Sequence, residues 1–213
     1  MGETSKYALL FTRELGFLSA RAQGARASRS KLRYHLTDFS YLDAWLVRGR
    51  EVWRLANAVS RANFFTTVGG ATQSPVDEHC TARRGEHSKK SADFYACSDT
   101  GALQAPTGIA ILARASALLR RLLPPDEPHS KLFDAVVSGF SALTAARAES
   151  ERQDVEILLA LRILYHLGYI GEPKEFLSVA ESSDFGVPFL SSVAPLRRTL
   201  VSVINSSLRL TGL

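Results

Sequence analysis

Cysteine is scarce in this chain: there are two in 213 residues, Cys80 and Cys97. Two thiols cannot staple a protein of this length, which excludes a disulfide framework and fits a reducing compartment. Apolar runs approaching the roughly 20 residues of a membrane span are also missing. The opening stretch MGETSKYALLFTRELG mixes charge into its apolar positions and lacks the layout of an export signal. A cytoplasmic protein without a membrane partner is expected. Catalytic signatures are absent as well: no phosphate-binding glycine loop, no dinucleotide fingerprint, no nucleophile elbow and no paired zinc-binding histidines on a helix. His79, Cys80, His87 and Cys97 share one region but show neither a C-x(2–4)-C nor an H-x(3–5)-H pair, so no metal site is expected. The expectation is a non-enzyme that needs no cofactor.

Acidic residues are absent from Leu15 through Thr37. Residues 1–66 carry eleven Lys/Arg against five Asp/Glu, a balance of +6, whereas the remainder carries 15 against 16. The net charge of +5 therefore comes from the first third. Charge gathered in this way creates a field suited to a polyanion, which a dispersed excess does not.

Residues 5–66 read as short strands. SKYALLFT, GFLSARAQG, FSYLDAWLV and EVWRLANAV are rich in aliphatic and aromatic residues, and Tyr41, Asp43 and Trp45 alternate with Leu42, Ala44 and Leu46. Gly16 and Gly24 close segments, and Arg48-Gly49-Arg50 reads as a hairpin connection with Gly49 at positive φ. Residues 67–108 show no sustained period and read as an insert between two domains. From Ile109 the spacing is helical. One helix is stopped by Pro124-Pro125, a second starts at an N-cap Ser130, and an apolar third over Val155–Leu167 is ended by Gly168. Pro173 and Pro195 are placed to open two more. The expected class is α+β: residues 1–66 form a small β-barrel domain and residues 109–213 an all-α domain.

Three features carry candidate chemistry. In GFLSARAQGARASRSKLR, Arg21, Arg26, Arg29, Lys31 and Arg33 are interleaved with Gly, Ala and Ser, which let a backbone approach phosphates. This reads as a phosphate-tracking loop, or more plainly as a solvated basic loop. Arg48, Arg50 and Arg54 read as a hairpin gripping phosphates, or as edge charges that block aggregation. Among the ten aromatics of this third, Phe11, Phe39 and Trp45 are expected in the barrel core, and Tyr34 and Tyr41 are the candidates for stacking on bases. In the helical part, Arg120, Arg121, Arg197 and Arg198 are candidates for docking an acidic peptide, or are ordinary helix-face charges. His166, on an apolar helix, is expected to be a core residue.

The run GETSKYALLFTRELGFLSARAQGARASRSKLR resembles the N-terminal domain of RecO-type recombination mediators, with Gly2-Glu3-Thr4-Ser5, the LFTRELG segment and Gln23-Gly24-Ala25-Arg26 as the matching pieces. LTDFSYLDAWLVRGREVWRL resembles that family's next strand and hairpin, and LALRILYHLGY its helical domain. The resemblance implies an OB-like barrel followed by helices. It implies single- and double-stranded DNA as ligands, strand annealing, and loading of RecA together with RecR and the acidic tail of single-strand-binding protein, on nucleoid DNA. Relatives carry a strand before the Gly-Glu motif; here Gly2-Glu3 follow Met1, so the first barrel strand is expected to be missing. The four cysteines that many relatives place after the Leu-Gly-Tyr motif do not follow Leu167-Gly168-Tyr169, so the resemblance implies no zinc. The alternatives are an adaptor whose helical domain docks a peptide, and an RNA-binding OB protein.

Overall fold

The computed structural model describes residues 5–27, 29–50, 52–68, 108–171 and 176–212. Four strands come first: β1 (Lys6–Thr12), β2 (Gly16–Ala22), β3 (Ser40–Arg48) and β4 (Trp53–Asn63), with a one-turn helix α1 (Leu32–His35) between β2 and β3. The helical part comprises α2 (Phe64–Val68), α3 (Gly108–Leu122), α4 (Ser130–Ala145), α5 (Glu149–His166), α6 (Leu177–Glu181), α7 (Val187–Val193) and α8 (Arg197–Leu210), the last preceded by a 3-10 turn at Ala194–Leu196. The α+β class read from the sequence is the class observed.

The four strands form one mixed sheet in the order β1-β2-β4-β3. β1–β2 and β3–β4 are antiparallel hairpins, and β2 pairs with β4 in parallel, as an OB-like order requires. Side chains alternate across the sheet. Leu18, Ala20 and Ala22 of β2 and Leu55 and Ala58 of β4 are buried, while their counterparts on the outer strands, Ala8, Leu10, Leu42, Ala44 and Leu46, are only partly covered. The sheet curls around a core of leucine and alanine, and among the described residues no pairing joins its outer strands β1 and β3. Two register shifts, at Tyr41/Leu42 and Trp45/Leu46, leave Arg61 and Ala56 of β4 as extra residues, so Leu55 and Ala58, three apart, both face inward opposite Leu46 and Ala44.

Trp45 is a correction to the sequence reading. It is 52% exposed on the outer face, because the alternation that sends Leu46 inward must send Trp45 outward. Phe11 and Phe39 also leave the barrel core and pack against the helical core. Phe11 lies 5.5 Å from Phe133 of α4, and Phe39 stacks on Phe65 at 6.4 Å. The large aromatics thus fill the junction between sheet and helices rather than the barrel interior. The boundary drawn after residue 66 falls inside α2, whose Phe64 is buried against Phe140 of α4 at 5.5 Å. Most of the insert expected over 67–108 lies outside the described residues, as do Pro173 and the four His and Cys positions from 79 to 97.

In the helical part, α5 is buried from Asp154 through Leu164, and Gly168 follows its end with φ +75. A buried run of this length needs neighbours on every side, and α3, α4, α6, α7 and α8 supply them. The N-cap of α4 is His129, which makes no side-chain capping bond, rather than Ser130, the first helical residue. Pro195 sits in the 3-10 turn, and α8 begins two residues later. His166 is half-buried in the last turn of α5 rather than in the core. Among the described residues, no helix is long and apolar enough to cross a membrane.

Candidate nucleic-acid interface

The outer face of the sheet is set by register. Tyr7 of β1 pairs with Arg21 of β2, and Arg21 pairs in turn with Arg54 of β4. All three are exposed, Tyr7 at 61%. Neighbouring strands lie about 4.8 Å apart, so the ring and the two guanidinium stems occupy a band about 10 Å wide. The Arg21 guanidinium donates to Ser5 Oγ at 3.2 Å.

Because β2 and β4 run parallel, the other cations fall above and below this band. Past the end of β2, Gly24 takes φ +70 and opens a run of turns (Ala27 N–H to Gly24 O at 3.0 Å, Ser30 N–H to Ala27 O at 2.9 Å) that leads into α1. Arg26, Arg29, Lys31 and Arg33 project from it, all exposed, with Tyr34 beside them at 76% exposure. Before the start of β4 lies the β3–β4 hairpin with exposed Arg48 and Arg50. The Arg48 guanidinium stands 5.7 Å over the Trp53 ring. Gly49 does not have the positive φ expected of it. Its requirement is space, since a Cβ there would stand 2.5 Å from the Val52 carbonyl oxygen that its N–H bonds at 3.2 Å. Register thus sets Arg21 and Arg54 at the seam between β2 and β4, and the other six cations singled out from the sequence lie on the segments that leave β2 and lead into β4.

The remaining three cations of the first third are used internally. Lys6 Nζ donates to the Leu36 carbonyl at 2.9 Å, and Arg13 pairs with Asp134 of α4 at 2.9 Å. Arg61 donates to Asp43 at 2.7 Å, and the hydrogen bond and charge of that carboxylate raise the Arg61 pKa above its ordinary value. None of the eight seam cations has an ion pair among the described residues. Two like charges placed side by side without a carboxylate repel each other, a cost that a bound polyanion offsets.

The other candidates separate. Tyr41, 37% exposed, lies between Phe64 and Phe133, at 6.5 and 6.4 Å, where the sheet meets the helices. Arg120 and Arg121 end α3, and Arg198 opens α8; all three are exposed with no ion pair among the described residues. Arg197 is not a free cation, because it is paired at 2.7 Å with the buried Asp154 of α5. The residue that sequence reasoning passed over is Tyr7. Its signal is the Tyr7–Leu9 alternation, which sets it on the side opposite Ala8 and Leu10. No group of three or more possible metal ligands occurs among the described residues.

Two family models match the chain. One, recombination protein O N terminal, covers residues 1–64, and the other, recombination protein O C terminal, covers residues 103–171. The first takes in the whole sheet with its basic seam, and the second takes in α3, α4 and α5. The two matches follow one another in the order of the two halves of one protein and together span more than half of the sequence. The chain belongs to the recombination protein O family, DNA-binding proteins of DNA repair and recombination.

Proposed function

We propose that this protein is a recombination mediator that holds DNA electrostatically and makes no covalent bond. Arg21, Arg26, Arg29, Lys31, Arg33, Arg48, Arg50 and Arg54 take the phosphates of single- or double-stranded DNA, and Tyr34 supplies a ring for an unpaired base. Neutralising two strands on one seam lowers their repulsion and lets complementary bases pair. The supporting observation is the division of labour among the early cations: three are bonded to other groups of the fold, and the eight along the β2–β4 seam have no carboxylate partner among the described residues. Within this reading the protein works in the cytoplasm on nucleoid DNA, and cooperates with RecR to load RecA. Exposed Arg120, Arg121 and Arg198 are offered as contacts for the acidic tail of single-strand-binding protein.

The test is binding to a labelled oligonucleotide as salt is varied. Displaced counterions make log affinity fall linearly with log salt, with a slope of about −0.7 per phosphate on a single strand, so engagement of all eight cations gives about −5 to −6. Binding that is absent at low salt, or indifferent to salt, removes the proposal. Competition with RNA of the same sequence separates the DNA reading from an RNA-binding one.

A further inference from the structure

The basic seam ends in a cavity. Where the β3–β4 hairpin meets the α3–α4 loop, a space of about 340 Å³ opens between sheet and helices. Leu9, Phe17, Val52 and Pro125 give it apolar walls, and Trp53 lines it beneath Arg48. Arg48 and Arg50 line it from the β3–β4 hairpin and Asp126 from the α3–α4 loop. The far wall is tied to the sheet, since Pro125 bridges Phe17 and the Asp126 N–H donates to the Phe17 carbonyl at 3.2 Å. Asp126 is held in the left-handed region, φ +60, which aspartate tolerates better than most residues.

The geometry points to this cavity as a subsite for one unpaired nucleobase of a bound single strand, and this inference rests on the DNA-binding reading above. The volume lies at the lower end of the range for small-molecule sites. The two sides match the two halves of a nucleotide. Apolar walls and an indole receive a flat ring, and two guanidinium groups on the same rim receive the flanking phosphates. The acceptor-only carboxylate of Asp126 opposes phosphate and accepts a hydrogen bond from a base amino group. Cytosine, which presents such a group, is therefore favoured over thymine. A base still paired in a duplex cannot enter, so the cavity makes the site distinguish single strands from double.

Trp45→Phe leaves Trp53 as the single tryptophan of the chain, so emission reports the cavity while the anisotropy of a labelled oligonucleotide reports binding. Titration with an oligocytidylate is expected to change Trp53 emission in step with anisotropy, and a duplex is expected to raise anisotropy alone. Oligocytidylate is expected to bind about three- to tenfold tighter than oligothymidylate, the size of one net hydrogen bond. Asp126→Gly, which keeps the left-handed backbone, is expected to erase that preference. If strands bind while Trp53 emission stays constant, or if a duplex changes it equally, the cavity holds no base and the inference falls with DNA binding intact. The same conclusion follows if an acidic peptide ending in phenylalanine changes Trp53 emission as strongly as the oligonucleotide does. Absence of any binding at low salt overturns the broader reading together with this one.

Discussion

Arg21 and Arg54 are register partners on the parallel strands β2 and β4, both exposed on the outer face, with no carboxylate paired to either among the described residues; the Arg21 guanidinium reaches Ser5 Oγ at 3.2 Å, and Arg54 Nε lies 3.8 Å from the Cβ position of Gly49. Like charges directly opposite each other destabilise a sheet, so the pair works against the fold in the absence of a ligand. Arg54→Gln is expected to raise the urea midpoint slightly. It is expected to weaken oligonucleotide binding and to make the salt slope shallower by about 0.7 on a single strand. Equal affinity and an unchanged slope in the variant would remove Arg54 from the interface.

Gly16 joins the sheet to the helical part. It has φ +70, and a Cβ there would run into the Glu127 carbonyl. Gly16→Ala combines left-handed strain with overpacking against backbone and is expected to cost about 2–5 kcal/mol in chemical denaturation. Gly24→Ala serves as the comparison: it shares the φ but has open space around its Cβ position, so its penalty should be the strain alone.

The start of α5 is half-capped. Glu151 accepts the backbone N–H groups of Arg147 at 2.8 Å and Ala148 at 3.2 Å, and these bonds hold its carboxyl below the usual value of 4.5. Because the folded pKa is depressed, the stabilisation is complete above pH 4.5 and is lost as pH falls through the folded value. Glu151→Gln should flatten that acid limb of a stability–pH curve. Ala148, at the N-cap, has no acceptor to offer in return, so Ala148→Ser is expected to complete the capping box and stabilise by about 0.5–1 kcal/mol.

His166 shares the direction of that shift but not its cause. Burial, helped by Lys131, Arg162 and His129 and opposed by Glu181, lowers its pKa from the usual 6.5. The unfolded chain takes up the proton first, so stability declines as pH drops below 6.5 and levels off once the folded form is protonated as well. His166→Gln should remove this decline; a curve of unchanged shape between pH 5 and 7 would show that other groups dominate there.

Much of the architecture was legible from local pattern. Short apolar segments between turn signals marked all four strands, with alternation read in the third, and Gly168 marked the end of a helix whose apolar sides required burial. The eight seam cations were likewise visible as basic residues in a stretch poor in acids. The two short helices around the barrel, α1 and α2, left no periodic signal because neither completes two turns. The location of the aromatics also escaped the reading. Hydrophobicity says that Phe11, Phe39 and Trp45 are candidates for burial; it does not say which neighbour covers them.

The chain itself determined its element order, its class and the gathering of positive charge into the first third, because these depend on residue type and near-neighbour spacing. Tertiary structure alone decided which charges find a partner. Arg13 finds Asp134, 121 positions away, and Arg61 finds Asp43 across a hairpin, while Arg21 meets another arginine. Such pairings follow from strand register and from the docking of sheet on helices, and both are set by the burial of apolar faces over the whole fold.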